Sequence, residues 1–173
     1  MTSKAKIGKG ILLGALMALS FVACKIEFTL KGASVPAEWK TFSVQYFENR
    51  APLINPTLSQ EFTEALKDRV INESKLVLEE RNADIDFSGQ ITGYNVKPMA
   101  IQADAISAET RLTITVKVKY RNFKDPKQNW ESSFSGYEDY SSDRDINDVE
   151  NELTELIIEK ITQDIFNKAF SDW

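Results

Sequence analysis

The residues able to do chemistry are few, and their types narrow the field. The 173-residue chain has no histidine and a single cysteine, Cys24. Histidine-based metal centres, Ser-His-Asp triads, Cys-His pairs, an internal disulfide and a cysteine-rich zinc site are therefore excluded. Carboxylates come in close pairs, Asp84/Asp86, Glu138/Asp139 and Asp143/Asp145. Such pairs do general acid–base work when placed across a pocket; otherwise they mark solvated turns. No nucleophile-elbow, phosphate-loop or calcium-loop pattern accompanies them. The stretch from Asp143 to Asp148 lacks the glycine and distal glutamate of an EF-hand. The expectation is a protein that is not an enzyme and uses no cofactor.

Arg111, Lys117, Lys119 and Arg121 form the sharpest binding candidate. With Thr113 and Thr115 they alternate with Leu112, Ile114, Val116, Val118 and Tyr120, the period of a strand that buries one face. Side chains at i and i+2 on one strand face stand roughly 7 Å apart. That spacing suits a multiply charged anion such as a phosphorylated glycolipid. The same pattern also fits a solvated sheet face, or partner contacts through lysine stems.

Cys24 closes a leader. Residues 4–10 are basic, residues 11–23 carry no charge, and the run ends Phe21-Val22-Ala23-Cys24. Thirteen residues are too few to span a bilayer, which takes about 20. A basic head, a short apolar run and a small residue before the cysteine resemble a bacterial lipobox. The expectation is a signal peptide over 1–23 and cleavage that leaves Cys24 N-terminal and acylated, palmitate among its chains. Each buried methylene adds about 0.8 kcal/mol to anchoring. Cleavage removes Lys4, Lys6 and Lys9, leaving 18 bases against 26 acids, a mature charge of −8. That charge disfavours nucleic acid and anionic surfaces, so any anion must meet a local basic patch.

The elements that would position these residues follow from periodicity. Alternation predicts strands at 26–30 and over Phe42, Val44 and Tyr46, with a loop over 49–56. Thr57 or Asn55 can cap a helix that carries Leu58, Phe62, Ala65, Leu66, Arg69 and Val70 inward and ends near 72–74. A short apolar run at 76–78 precedes a strand over 85–96, where Gly89 and Gly93 signal a bulge or a close approach. Residues 111–121 and 130–140 read as a hairpin turning at Asp125-Pro126. A last helix of about 25 residues carries Ile146, Val149, Leu153, Leu156, Ile157, Ile161, Ile165, Ala169 and Phe170 on its apolar stripe. Trp39 and Trp173 stand near the ends as candidate exposed anchors. The order predicts one α+β domain over 24–173. It is a sheet of about four mainly antiparallel strands, with two amphipathic helices on one face and the basic stripe on the other.

Several segments together resemble the LptE family of lipopolysaccharide-assembly lipoproteins. They are GASVP at 32–36, TFSVQYFENRAPLINPTLSQEFTEALKDR at 41–69, FSGQITGY at 87–94, RLTITVKVKY at 111–120 and DIFNKAFSDW at 164–173. The resemblance implies a lipid-anchored outer-membrane protein facing the periplasm. It implies a plug inside an LptD-like barrel that helps insert lipopolysaccharide into the outer leaflet. It also implies a four-stranded sheet packed on two helices. The alternative is another envelope lipoprotein that carries an acyl ligand or stabilises a different barrel; an apolar cavity would mark the carrier.

Overall fold

The computed structural model describes residues 35–170 apart from 37, 54 and 100–107. Cys24, the expected strand at 26–30 and Trp173 lie outside the described residues. Strands β1 (Thr41–Val44) and β2 (Glu48–Asn49) lead into helix α1 (Leu58–Glu73). Strands β3 (Val77–Leu78), β4 (Ile85–Pro98), β5 (Glu109–Asn122) and β6 (Trp130–Ser141) follow, and helix α2 (Ile146–Phe170) closes the described chain. The sheet runs β3-β1-β4-β5-β6, with β2 beside β4 beyond the end of β1.

This is the expected α+β layering, with six strands in place of about four. The long pairs β4–β5 and β5–β6 are antiparallel. The short strands pair in parallel, β1 with β3 and with β4, and β2 with β4. Parallel neighbours need a crossover, and α1 supplies it between β1 and β3.

Helix α1 is capped by Asn55 rather than Thr57. Asn55 Oδ1 accepts the N–H groups of Thr57 (3.0 Å) and Leu58 (3.1 Å), satisfying donors that a helix start leaves free. Leu58, Phe62, Leu66 and Val70, each one turn apart, are all fully buried. Arg69 does not join them in the core. Its guanidinium bridges the helices, donating to Glu73 and to Gln163 Oε1 (2.8 Å) of α2.

In α2, Val149, Leu153, Ile157, Ile161 and Ile165 are buried as the stripe predicts. Leu156 departs from it at 41% exposed, while Ile158 and Phe166 are buried. At 3.6 residues per turn the buried stripe precesses around the axis, so a long helix takes different neighbours inward at each end. Gly136 of β6 lets α2 come close: a Cβ there would stand 3.0 Å from Ile157 and 3.1 Å from Ile161.

Both glycines of β4 behave as the sequence suggests. Gly89 faces the β5 backbone and the Phe47 ring so closely that a Cβ would overlap the Lys117 carbonyl oxygen. Beside Gly93 the register slips, pairing Ile91 with Val116 and Gly93 with Thr115. The extra residue, Thr92, resets the alternation, so Ile91 and Tyr94 both face the core. Tyr94 donates to Glu150 of α2, which also accepts from Asn55 Nδ2 (3.1 Å). The phenol thus ties β4 to both helices, and its burial raises its pKa.

Two expectations are corrected. Alternation puts Tyr46 inward, but Tyr46 is 61% exposed and Phe47 is fully buried. The chain breaks step between β1 and β2, where the Phe47 N–H donates to Thr63 Oγ1 (3.1 Å) of α1. Trp39 is buried rather than an exposed anchor; it belongs to the hydrophobic core around Phe42.

Candidate functional site on the open face of the sheet

The helices cover one side of β5 and leave the other open. Leu112, Ile114, Val116 and Val118 are fully buried beneath them and Tyr120 nearly so. Arg111, Thr113, Thr115, Lys117, Lys119 and Arg121 project from the opposite side, as their alternation requires.

Pairing with β6 divides the basic stripe. Arg111 stands opposite Asp139. Its Nε and Nη2 each donate to that carboxylate at 2.7 Å, and its guanidinium lies 3.7 Å from the Tyr137 ring centroid. This fork-to-fork contact holds the Asp139 pKa below the ordinary carboxylate range. Lys119 stands opposite Glu131. Glu131 meets Lys117 Nζ at 2.5 Å and Lys119 Nζ at 3.3 Å. Hydrogen bonds from Lys117 first, then Lys119, lower its pKa. Arg121 is paired across β4 with Asp86, and among the described residues it makes no ion pair. Asp86 accepts instead from Ser43 Oγ (2.8 Å) and Gln45 Nε2 (2.9 Å).

The four candidates therefore do not form one cluster. Six residues of strand, about 20 Å, separate Arg111 from Lys117. Thr113, Thr115 and Ser135 fill the interval, with Thr115 and Ser135 hydroxyls 3.1 Å apart. One base is neutralised, two share one acid, and the fourth has no acidic partner. The positive end of the stripe is Lys117, Lys119 and Arg121. Glu131, Asp139 and Tyr137 decide this; sequence reasoning named Asp139 only as half of a carboxylate pair and did not single out the other two. Their only signal is the hairpin register, which the 122–130 connection sets through the Asn122 N–H bond to Asn129 Oδ1.

Most of the paired carboxylates hold the fold together. Asp84 accepts the N–H groups of Lys40 (2.8 Å) and Thr41 (3.2 Å) and meets Lys124 Nζ at 3.2 Å. The bond from Lys40 chiefly lowers its pKa. Adjacent residues of a strand face opposite ways: Glu138 turns to Lys160 of α2, and Asp139 to Arg111. Asp145 accepts the Asn147 N–H (2.9 Å) at the start of α2. Among the described residues no group of three or more carboxylates or cysteines could hold a metal ion.

The helical side differs in chemistry. An open groove of about 800 Å³ runs between α1 and α2, with Glu61, Asp68, Arg69, Glu73, Glu155 and Glu159 around Ala65 and Ile158. Two smaller grooves beside α2 are lined mainly by charged residues such as Lys160 and Asp164. None is an apolar cavity. Among the described residues no helix is long and apolar enough to cross a membrane.

A filled core, two helices on one face and an open, polar β-hairpin face can be compared with known families. The model of the LptE family, described as lipopolysaccharide-assembly, matches residues 39–169. The chain belongs to the LptE family. Its general role is accordingly in lipopolysaccharide assembly. Solved structures of low identity share the fold. A minor lipoprotein from Acinetobacter baumannii is 16% identical, with 75% of this chain and 91% of that chain covered and a TM-score of 0.50. An uncharacterized lipoprotein B from Nitrosomonas europaea is 11% identical, covering 83% and 90%, also at 0.50. A hypothetical protein from Chlamydia trachomatis is 10% identical, covering 76% and 97%, at 0.53. No curated protein matches the sequence.

Proposed function

We propose that this LptE-family protein is a non-enzymatic lipoprotein, held by acylated Cys24 in the outer membrane and facing the periplasm. In this reading it plugs an LptD-like barrel and receives phosphate groups of lipopolysaccharide at Lys117, Lys119 and Arg121. The observation that carries it is the open face of the sheet. That face is open and polar and holds the one local excess of positive charge on β5 and β6, in a mature chain of charge −8. A polar sheet face suits the polar interior of an outer-membrane barrel. Arg111 is spent on Asp139, so its part is to stiffen the hairpin. An acyl carrier needs an enclosed apolar cavity; the grooves on the described residues are open and rimmed by charged side chains, which favours the plug.

Two measurements test this. Tagged protein extracted from membranes should bring down an LptD-type barrel; recovery of a different barrel, or of none, overturns the plug. Lys117→Gln with Lys119→Gln should weaken binding of purified lipopolysaccharide at least about tenfold at low salt, the loss expected for two charge-assisted contacts. Glutamine is preferred to glutamate because reversal would crowd three carboxylates around the position of Glu131. Unchanged affinity would make the stripe an ordinary solvated face.

A further inference from the structure

The sheet has two unlike edges. On one side the edge is made of short pieces, β3, β1 and β2, of two, four and two residues, and β4 runs past them to Lys97 and Pro98. Short strands, lysine and proline all keep an edge from pairing with another chain. On the other side stands β6. It has twelve residues, with no proline and no lysine, and its register with β5 runs without a bulge from Glu109–Ser141 to Tyr120–Trp130. Its three acids do not guard it, because each turns to a base of its own chain. Glu131 meets Lys117 and Lys119, Glu138 meets Lys160, and Asp139 meets Arg111.

The ladder decides which main-chain groups stand free. The Ser142 N–H donates to Ala108 O (3.0 Å), which makes these two residues a hydrogen-bonded antiparallel pair. Such pairs recur at every second residue, so the even-numbered residues of β6 bond to β5. Glu131, Ser133, Ser135, Tyr137 and Asp139 point their N–H and C=O groups the other way. Among the described residues β6 pairs with no strand but β5, and all five side chains are exposed. Donors and acceptors thus alternate along about 27 Å of open edge. Beside it an open groove of about 350 Å³ lies between residues 135–139 and Lys160 and Asp164 of α2. Lys160 is held by Glu138, while Asp164 makes no ion pair among the described residues.

We propose that β6 takes a seventh strand, an extended segment of the partner barrel with a lysine or arginine set toward Asp164. The proposal rests on the plug reading and names how that partner is held. An extended main chain is the ligand whose acceptors and donors match the repeat of this edge, and pockets beside the edge choose its side chains. The side chains of the five edge residues belong to the open face of the sheet. A plug that turns this face to the barrel interior therefore brings the edge there too. A second copy of β6 would offer the same main-chain groups, but β6 holds no base to meet Asp164.

The test uses the tagged full chain extracted from membranes with its partner. Ser133→Pro removes an outward N–H and none that bonds to β5, and an edge strand tolerates proline; Ser133→Ala keeps the N–H. With melting transitions alike, the proline variant should bring down at least about tenfold less barrel than wild type, and the alanine variant as much as wild type. In the wild-type complex the amides of Ser133, Ser135, Tyr137 and Asp139 should exchange with deuterium at least about tenfold more slowly than in the chain purified alone. Those of Gly136 and Glu138, bonded to β5, should be slow in both. Edge amides that stay fast in the complex overturn the docking and leave the plug standing, as does a folded proline variant that keeps its barrel. Should the proline variant unfold, amide exchange in the wild-type complex decides alone. Edge amides already slow in a chain that dimerises by itself assign the edge to a second copy and overturn the proposal. Recovery of no LptD-type barrel by the wild type overturns the plug and the docking with it.

Discussion

The inner and outer faces of β5 are built from the same fourteen residues and are held by different forces. Inward, Leu112, Ile114, Val116 and Val118 are sealed beneath two helices. Their worth is the apolar surface removed from water, and it is felt by every element that touches them. Outward, Arg111, Lys117 and Lys119 are positioned by acids of the neighbouring strand, and Arg111 also by the Tyr137 ring, in contact with solvent. Such pairs add little to stability, and they set which charges remain available. The comparison teaches that the inner face keeps the fold, while the outer face sets which charges stand free at the surface. Substitutions on the two sides should separate along that line.

The largest effect is expected where the helix layer meets the inner face. Ile157→Asp puts a charge with no partner into a fully buried position and should cost several kcal/mol, enough to unfold the domain. Urea unfolding followed by circular dichroism would show it; an unchanged midpoint would mean that α2 does not seal this face. Next comes Gly136→Val, which drives a side chain into Ile157 and Ile161. It should destabilise by about 1–3 kcal/mol through overpacking, read in the same way.

A smaller effect belongs to the open face. The pKa values of Asp139, Glu131 and Asp84 are lowered by Arg111, by Lys117 with Lys119, and by the Lys40 N–H. A lowered carboxylate contributes stability above its unfolded pKa, about 4, and loses it as pH falls through the folded value. Stability should therefore decline below about pH 4, and Asp139→Asn should make that decline shallower. An identical acid limb in the variant would show that the Arg111 contact is not maintained in solution.

The smallest effect should come from Tyr120→Phe. The ring is buried and stacks on Trp130 with centroids 5.3 Å apart, while its hydroxyl lies beside Asn122 and makes no well-formed hydrogen bond among the described residues. Removing an unpaired buried hydroxyl should leave the midpoint at neutral pH unchanged or slightly raised. Burial pushes the Tyr120 pKa up to about 12. Wild-type stability should thus fall as pH rises from about 10, where the unfolded phenol ionises, through the folded value. The Phe variant should lose that part of the alkaline limb. A clear drop in its midpoint at neutral pH would show that the hydroxyl is paired after all.

The sequence by itself determined whatever depends on local period. The alternation across 111–121 named the buried and open sides of β5 residue by residue, because a strand turns each successive side chain over. The four-residue spacing of Leu58, Phe62, Leu66 and Val70 named the buried side of α1 for the matching reason. Glycines at 89 and 93 marked a close approach and a bulge. The two-helix, one-sheet layering followed from counting apolar faces that need cover. Only the tertiary structure decided what depends on neighbours distant in the chain. Phe47 rather than Tyr46 enters the core because Thr63 of α1 fixes the break between β1 and β2. The short strands run parallel because α1 carries the chain back beside β1. The basic stripe splits because hairpin register sets Asp139 against Arg111 and Glu131 against Lys119. A two-residue slip would pair different charges while leaving the inward and outward faces of each strand intact.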